Sequence, residues 1–346
     1  MSDENAREAL LKRQIIQRFP GISYAWVNAA NKEAAEYFGF ADKESHTLVD
    51  ENTVFPACSI SKYITALCVM KLHEQKTIDV EAPVNQYLQQ WKYLTADGSE
   101  STALIRTFLC HTAGCVDGEN SFYGLRRSDS EIDLTDILEG RTTYNNRSTR
   151  EEKPHGTAFE YSDAGYCVLQ LMLQELMGRP FEDIAEELVF DPLRLENTFF
   201  ASRKKTARLE SRMAAGYDGG GLPIPGKFPD VPDLAASGLW STPKELLMIA
   251  KAFAEALHGG SAFLRAESAR EMAEPVRGFP WTGLGVFRDG EDILVSKGWG
   301  ENGQCILKMN IRTKRIAAVM TNRNPGVDQA ESGIESLADR LLNGKE

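Results

Sequence analysis

Apolar positions divide the chain into a strand-rich front, a helical middle and a strand-rich back. The first 20 residues carry an amphipathic helical pattern that ends at Phe19-Pro20-Gly21. Ile22 to Val27 (ISYAWV) then reads as a strand, and Lys32 to Phe40 as a second, joined by a hairpin turn at Asn31-Lys32. Val54-Phe55-Pro56 leads into Ser59. From there SISKYITALCVMKLHEQK runs without a breaker, apolar at Ile60, Ile64, Leu67, Cys68 and Leu72. That spacing predicts a helix, well buried at its start.

Residues 76–230 alternate helices with long loops. A short run spans Leu104 to Leu109. Helices are expected over Gly165 to Met177, stopped by Gly178, and over Phe181 to Phe190, stopped by Asp191-Pro192. The segment 118–155 is polar apart from Leu134 to Leu138 and is expected to be a lid or a surface loop. Thr242-Pro243-Lys244-Glu245 has the form of a capped helix start, with Thr as N-cap and Pro at the first position. Four strand-like runs follow at Gly283–Phe287, Asp292–Ser296, Gln304–Ile311 and Arg315–Thr321, then a closing helix over about residues 328–342. The order predicts an α+β chain in which front and back share one antiparallel sheet. Residues 1–75 and 240–346 would form an α/β sandwich domain, and residues 76–239 a mainly helical domain.

Composition narrows the function. The chain has 346 residues and a net charge of −11, so phosphate backbones are repelled and nucleic acid is a poor partner. No stretch reaches the roughly 20 apolar residues of a membrane span. The N-terminus, MSDENAREALLKRQ, lacks a basic start and apolar core, so no secretory leader is expected. The six cysteines are scattered without a C-x-x-C pair, which points to free thiols in a reducing, cytoplasmic setting. The five histidines are isolated from one another, so no metal and no cofactor are expected. The expected partner is a small-molecule substrate, for a monomer or homodimer.

The informative motif is S-x-x-K. A Ser and a Lys three apart on a helix share a face, so the amine can reach the hydroxyl and take its proton. The spacing occurs three times. Ser202/Lys205 lies in the basic run SRKKTAR, and Ser241/Lys244 overlaps the helix cap. Only Ser59/Lys62 opens a long apolar helix directly after a strand, where the helix N-terminus steadies negative charge. Alternatively, Ser59 or Ser61 merely caps the helix. A G-x-G-x-x-G at Gly298, Gly300 and Gly303 precedes a strand rather than a helix, which argues against a dinucleotide site.

Blocks after Ser59 add to this: His111-Thr112-Ala113-Gly114, Pro154-His155-Gly156 through Tyr161-Ser162-Asp163, Asp191-Pro192-Leu193, Ala236-Ser237-Gly238-Leu239-Trp240, and Gly283-Leu284-Gly285. In this order they resemble the class C β-lactamase-like serine hydrolases, over about residues 20–340. The resemblance implies an antiparallel sheet flanked by helices plus an all-helical lobe. It also implies acyl-enzyme chemistry with Ser59 as nucleophile and Lys62 and Tyr161 moving protons. The family's Tyr-x-Asn is here Tyr161-Ser162-Asp163, so a carboxylate replaces an amide donor. It would compete for Lys62, raise the Tyr161 pKa and repel anionic substrates, or else point away into a loop hydrogen bond. The third element, Lys or His followed one residue later by Gly, has Lys297 as its candidate, with the glycine one place off on either side. The oxyanion donors would be the Ser59 N–H and one near Gly300. Trp240, Trp299 and Tyr123 are candidates to line the cleft. The expected activity is that of an esterase, amidase or D-amino-acid peptidase. The alternatives are a β-lactamase or penicillin-binding DD-peptidase, an acyltransferase, or a non-catalytic binding or sensor protein on the same fold.

Overall fold

Strand β1 (Gly21–Val27) is buried at every position, as a strand covered on both faces must be. It pairs antiparallel with β2 (Glu33–Asp42) on one side and with β10 (Ile316–Thr321) on the other, so both ends of the chain share one sheet. The other strands of that sheet are β3 (Thr47–Leu48), β7 (Phe287–Asp289), β8 (Ile293–Gly300) and β9 (Gly303–Asn310). The order across it is β3-β2-β1-β10-β9-β8-β7. These elements belong to a computed structural model of the chain that describes residues 3–28, 30–124, 132–202, 206 and 209–344.

The outer face of the sheet packs on the two ends of the chain. Ile15 and Phe19 from the front and Ile334, Leu337 and Leu341 from the back close over Tyr24, Trp26, Val295 and Ile306. The inner face packs on the helices Ser61–Glu74 and Pro243–Leu257, and the same connected core takes in the Asp163–Met177 helix. The Pro243–Leu257 helix starts as its sequence demands, with the Thr242 hydroxyl accepting from the Glu245 N–H at 3.2 Å. The Glu245 carboxylate does not fold back on the cap. It accepts from the Glu196 and Asn197 N–H groups, each at 2.9 Å, and from the Thr198 hydroxyl at 2.5 Å. Lys244 pairs with Glu51 at the surface, 3.0 Å away. The Ser241/Lys244 spacing is therefore part of a helix start.

Three expectations need correction. Gly283–Phe287 is not a strand. The Gly283 N–H donates to the Val286 carbonyl at 2.9 Å, which folds the run into a turn, and β7 begins only at Phe287. The closing helix is two helices, Gln329–Ser332 and Ile334–Leu342. Between them Gly333 adopts φ 94°, a conformation that ends one helix and starts the other. A second sheet, β4 (Phe55–Cys58), β5 (Phe199–Phe200) and β6 (Leu239–Ser241), in the order β4-β6-β5, was not expected. Strands of two to four residues carry no readable period.

This small sheet explains the glycine pattern. The β8–β9 hairpin lies directly on β4. A Cβ on Gly298 would stand 2.3 Å from the Ala57 carbonyl oxygen of β4 and 2.3 Å from the Cys305 sulfur, and one on Gly303 would stand 2.8 Å from Pro56 Cγ of β4 and 2.4 Å from the Thr321 carbonyl oxygen of β10. The glycines permit close approach of backbones, not of a nucleotide. Gly298→Ala is therefore expected to destabilise the protein by about 1–3 kcal/mol. The control Gly219→Ala, with no atom nearer than 3.7 Å, should stay within about 0.5 kcal/mol in urea unfolding. Equal effects of the two substitutions would contradict this packing.

Candidate active site

Strand β4 ends at Cys58, whose φ of 45° turns the chain sharply into the Ser61–Glu74 helix. Ser59 stands on that turn. The structural bonds of the turn are made by its neighbour: the Ser61 hydroxyl donates to the Cys58 carbonyl at 2.5 Å and accepts from the Leu239 N–H at 2.9 Å. Ser61 therefore ties the helix start to β6, and the cap leaves the Ser59 hydroxyl unused.

Lys62 lies one helical turn on and is 4 % exposed. Its Nζ donates to Ser59 Oγ at 3.2 Å, to Asp163 Oδ1 at 2.5 Å and to the Ala236 carbonyl at 2.9 Å. An ammonium has three protons, and each has an acceptor. Burial pushes the Lys62 pKa down, but the charge of Asp163, with Tyr161 beside it, outweighs this and holds it raised. The resting amine is protonated.

Asp163 is the first residue of the Asp163–Met177 helix, whose N-cap Ser162 accepts from the Gly165 N–H at 2.9 Å. Asp117 fixes this helix start. It accepts from the Ser162 hydroxyl at 2.6 Å and from the Asp163 N–H at 2.7 Å. Burial and the Asp163 charge push the Asp117 pKa up to about 6. The same two causes push the fully buried Asp233 up to about 8, and it accepts from the Tyr144 hydroxyl at 2.6 Å. Asp163 thus pairs with Lys62 and, by its charge, helps to raise the pKa of two neighbouring acids. It borders the cavity, but its carboxylate is turned to the lysine and not away into a loop.

Tyr161 places its hydroxyl end with Lys62 and Ser59, while its ring is 42 % exposed. The Lys62 ammonium lies 4.8 Å from the ring centre. Burial raises the Tyr161 pKa; Asp163 adds to this and Lys62 opposes it, leaving the phenol neutral at rest. His111 stacks on Tyr161 with ring centres 4.3 Å apart. It is buried, and burial together with the Lys62 charge holds its pKa well below the usual value. Its Nδ1 accepts from the Ser162 N–H at 3.2 Å. This neutral backing for Tyr161 was missed from the sequence, where His111 served only as part of a motif.

Lys297 lies at the edge of the site, with its ammonium engaged elsewhere. Successive side chains of β8 point to opposite sides. Gly298 and Gly300 face Cys58, so Lys297 faces the other way. It borders the small space beside Ser59, but its ammonium pairs with Glu335 Oε2 at 2.8 Å, on the C-terminal helix. β8 also brings the buried Ser296 to the space shared by Ser59, Lys62 and Tyr161.

A cavity of about 320 Å³ opens from Ser59, and Tyr161 does not border it. Trp240, Trp299, Gly300, Tyr123, Phe122 and Tyr144 line it. Trp240 is buried against Phe228, whereas Trp299 is exposed and held by its indole N–H donating to Asn324 Oδ1 at 2.8 Å. Of the segment expected to be a lid, residues 125–131 lie outside the described residues, as does Lys205 of the surface S-x-x-K. Among the described residues no cluster of His, Cys, Asp and Glu could hold a metal ion, and no helix is long and apolar enough to cross a membrane.

The family model described as Beta-lactamase matches residues 7–341. Esterase EstB of Burkholderia gladioli is 30% identical over 168 residues, covering 47% of this chain and 43% of that protein. The match thus spans less than half of that relative. Among solved structures, an octameric penicillin-binding protein homologue from Pyrococcus abyssi is similar with a TM-score of 0.78, at 20% identity, covering 99% of this chain and 78% of that one. The D-amino acid amidase from Ochrobactrum anthropi SV3 follows at 0.76, also 20% identical, covering 97% of this chain and 99% of that one. These likenesses show that the fold is that of the serine β-lactamases and penicillin-binding proteins.

The Lys62–Asp163 pair is a buried contact with a measurable signature. Breaking it from either side should cost about 3–5 kcal/mol, because one charge is left without its partner. Lys62→Met with Asp163→Asn together should cost clearly less than the two single changes summed, in urea unfolding at pH 7. Because the folded Lys62 pKa is raised, its stabilisation is complete below the ordinary lysine value of about 10.4 and is lost only as pH rises through the folded value. Additive single costs would contradict the pairing.

Proposed function

The chain belongs to the Beta-lactamase family, and on that footing we propose that it is a serine hydrolase that cleaves small esters or amides through an acyl-enzyme on Ser59. The observation that carries this is the single ammonium of Lys62 shared between Ser59 Oγ and Asp163 Oδ1, in a site with a substrate-sized cavity. A Ser whose only task was to cap a helix would not need a buried lysine on its hydroxyl.

The protonation states set the direction of each proton. Lys62 is charged at rest and takes up the Ser59 proton only as it passes one of its own to Asp163. Ser59 Oγ bonds to the substrate carbonyl carbon, and the oxyanion is met by the Ser59 N–H and an N–H near Gly300, at the positive end of the helix. Tyr161, neutral at rest, gives its proton to the leaving oxygen or nitrogen as the bond to the acyl carbon breaks. The proton held by Asp163 returns through Lys62 to the phenolate. Water then attacks the acyl-enzyme by the same route reversed, and Ser59 recovers its proton.

The acceptor-only carboxylate at Asp163 disfavours anionic β-lactams. Small esters, amides and D-amino-acid peptides suit the site better. The six buried free thiols fit a reducing cytoplasm, where the protein would act as a monomer or homodimer.

Intact-mass spectrometry with p-nitrophenyl acetate and a fluorescent penicillin, run beside p-nitrophenol release, tests the proposal. The protein is expected to gain one acetyl group and turn the ester over steadily. Ser59→Ala should show no adduct and lose about a thousandfold or more in rate. Penicillin turnover should be at least about tenfold slower in kcat/KM, a difference of about 1.4 kcal/mol. Equal labelling of the Ser59→Ala protein would remove Ser59 as nucleophile.

A further inference from the structure

We propose that an exposed row of aromatic rings beside Tyr161 binds the leaving group of the substrate, and that this group is aromatic. The inference rests on the serine-hydrolase reading above and names its substrate class.

The row begins at the catalytic phenol. Tyr161 and Phe287 have ring centres 6.3 Å apart, Phe287 and Phe159 6.3 Å, Phe159 and Trp281 6.1 Å, and Trp281 and Phe279 5.7 Å. Phe159 stands just ahead of Tyr161 in the chain. The other three come from the stretch that runs from the Ala266–Ala273 helix into β7. Trp281 is 47 % exposed, Phe159, Phe279 and Phe287 are half-buried, and none of the five rings borders the 320 Å³ cavity. An exposed tryptophan backed by half-buried aromatic rings is apolar surface that a ligand can cover.

The row is built, not frayed. The Phe279 N–H donates to the Val276 carbonyl at 2.9 Å, the Thr282 N–H to the Phe279 carbonyl at 3.1 Å, and the Arg288 N–H to the Trp281 carbonyl at 2.8 Å. His111, buried behind the row, packs on Tyr161, Phe159 and Phe287. Trp281 meets Phe159 and Phe279 edge to face, at 72° and 81°, which leaves ring surface free for a planar ligand.

Chemistry assigns the row to one half of the substrate. The group that protonates the leaving atom must touch it. Tyr161 is that group, and its ring is the inner end of the row. The leaving group therefore extends over Phe159 and Trp281, and the acyl group occupies the cavity by Trp240 and Trp299.

The test compares 2-naphthyl acetate with ethyl acetate, which share an acyl group. Trp281→Ala should lower the naphthyl-over-ethyl ratio of kcat/KM about tenfold, and Trp281→Phe should restore most of it. Independently of turnover, 2-naphthol binding to the Ser59→Ala protein, followed by NMR shifts, should weaken about tenfold on adding Trp281→Ala. An unchanged ester ratio, or 2-naphthol binding indifferent to Trp281, overturns the proposal. Failure of the wild type to form any Ser59 adduct would instead defeat the hydrolase reading, and the 2-naphthol measurement would still decide whether the row binds aromatic ligands.

Discussion

A buried ammonium is the constraint on which this structure turns. Lys62 is almost wholly removed from water, and an unpaired charge there would cost several kcal/mol. Its three protons are met by groups from three parts of the chain: Ser59 at the start of its own helix, Asp163 at the start of another, and the Ala236 carbonyl of the short helix before β6. Each must be held in place for the charge to be tolerated. Ser61 locks the first, Asp117 the second, and the pairing of β4 with β6 the third. The site is thereby assembled by the need to satisfy one side chain.

That constraint also fixes the protonation of the site. The carboxylate at Asp163 keeps the amine charged, and the same carboxylate, with burial, keeps the Tyr161 phenol neutral. In the proposed mechanism the lysine therefore passes protons rather than storing a vacancy for one, and the tyrosine is a donor before it is an acceptor. The neutral imidazole of His111 supports this arrangement: a second positive charge behind the phenol would pull its pKa down and repel Lys62.

Much of this was legible in the sequence because the signals are local. The strand before Ser59, the apolar helix after it and the three-residue spacing to Lys62 are all read within about 20 residues. Strands β1, β9 and β10 announce themselves as apolar runs, whereas the apolar run of β8 covers only its first residues and the strand continues through Lys297 to Gly300. Asp163 stood out against the family pattern, and its competition for Lys62 is what the structure contains. Harder to read was information carried by phase or by distant contact. Lys297 has the right charge and lies at the edge of the site, but its ammonium is engaged by Glu335, and one residue of register separates it from Ser296. The two-residue strand β5, the break at Gly333 and the turn at Gly283–Phe287 depend on what they pack against. The aromatic row joins residues that are near in space but separated in sequence, which no motif reveals.

The most direct test of the central claim is the protonation of one atom. With ¹⁵N-labelled lysine, the Lys62 Nζ signal can be followed by NMR across the pH range and assigned by its loss in Lys62→Met. The account predicts that Lys62 stays charged to at least the ordinary lysine value of about 10.4 in the resting protein, and titrates lower once Asp163→Asn removes the carboxylate. A wild-type lysine that loses its proton near neutral pH would contradict the account, since the amine would then be a free base and Asp163 would not hold it.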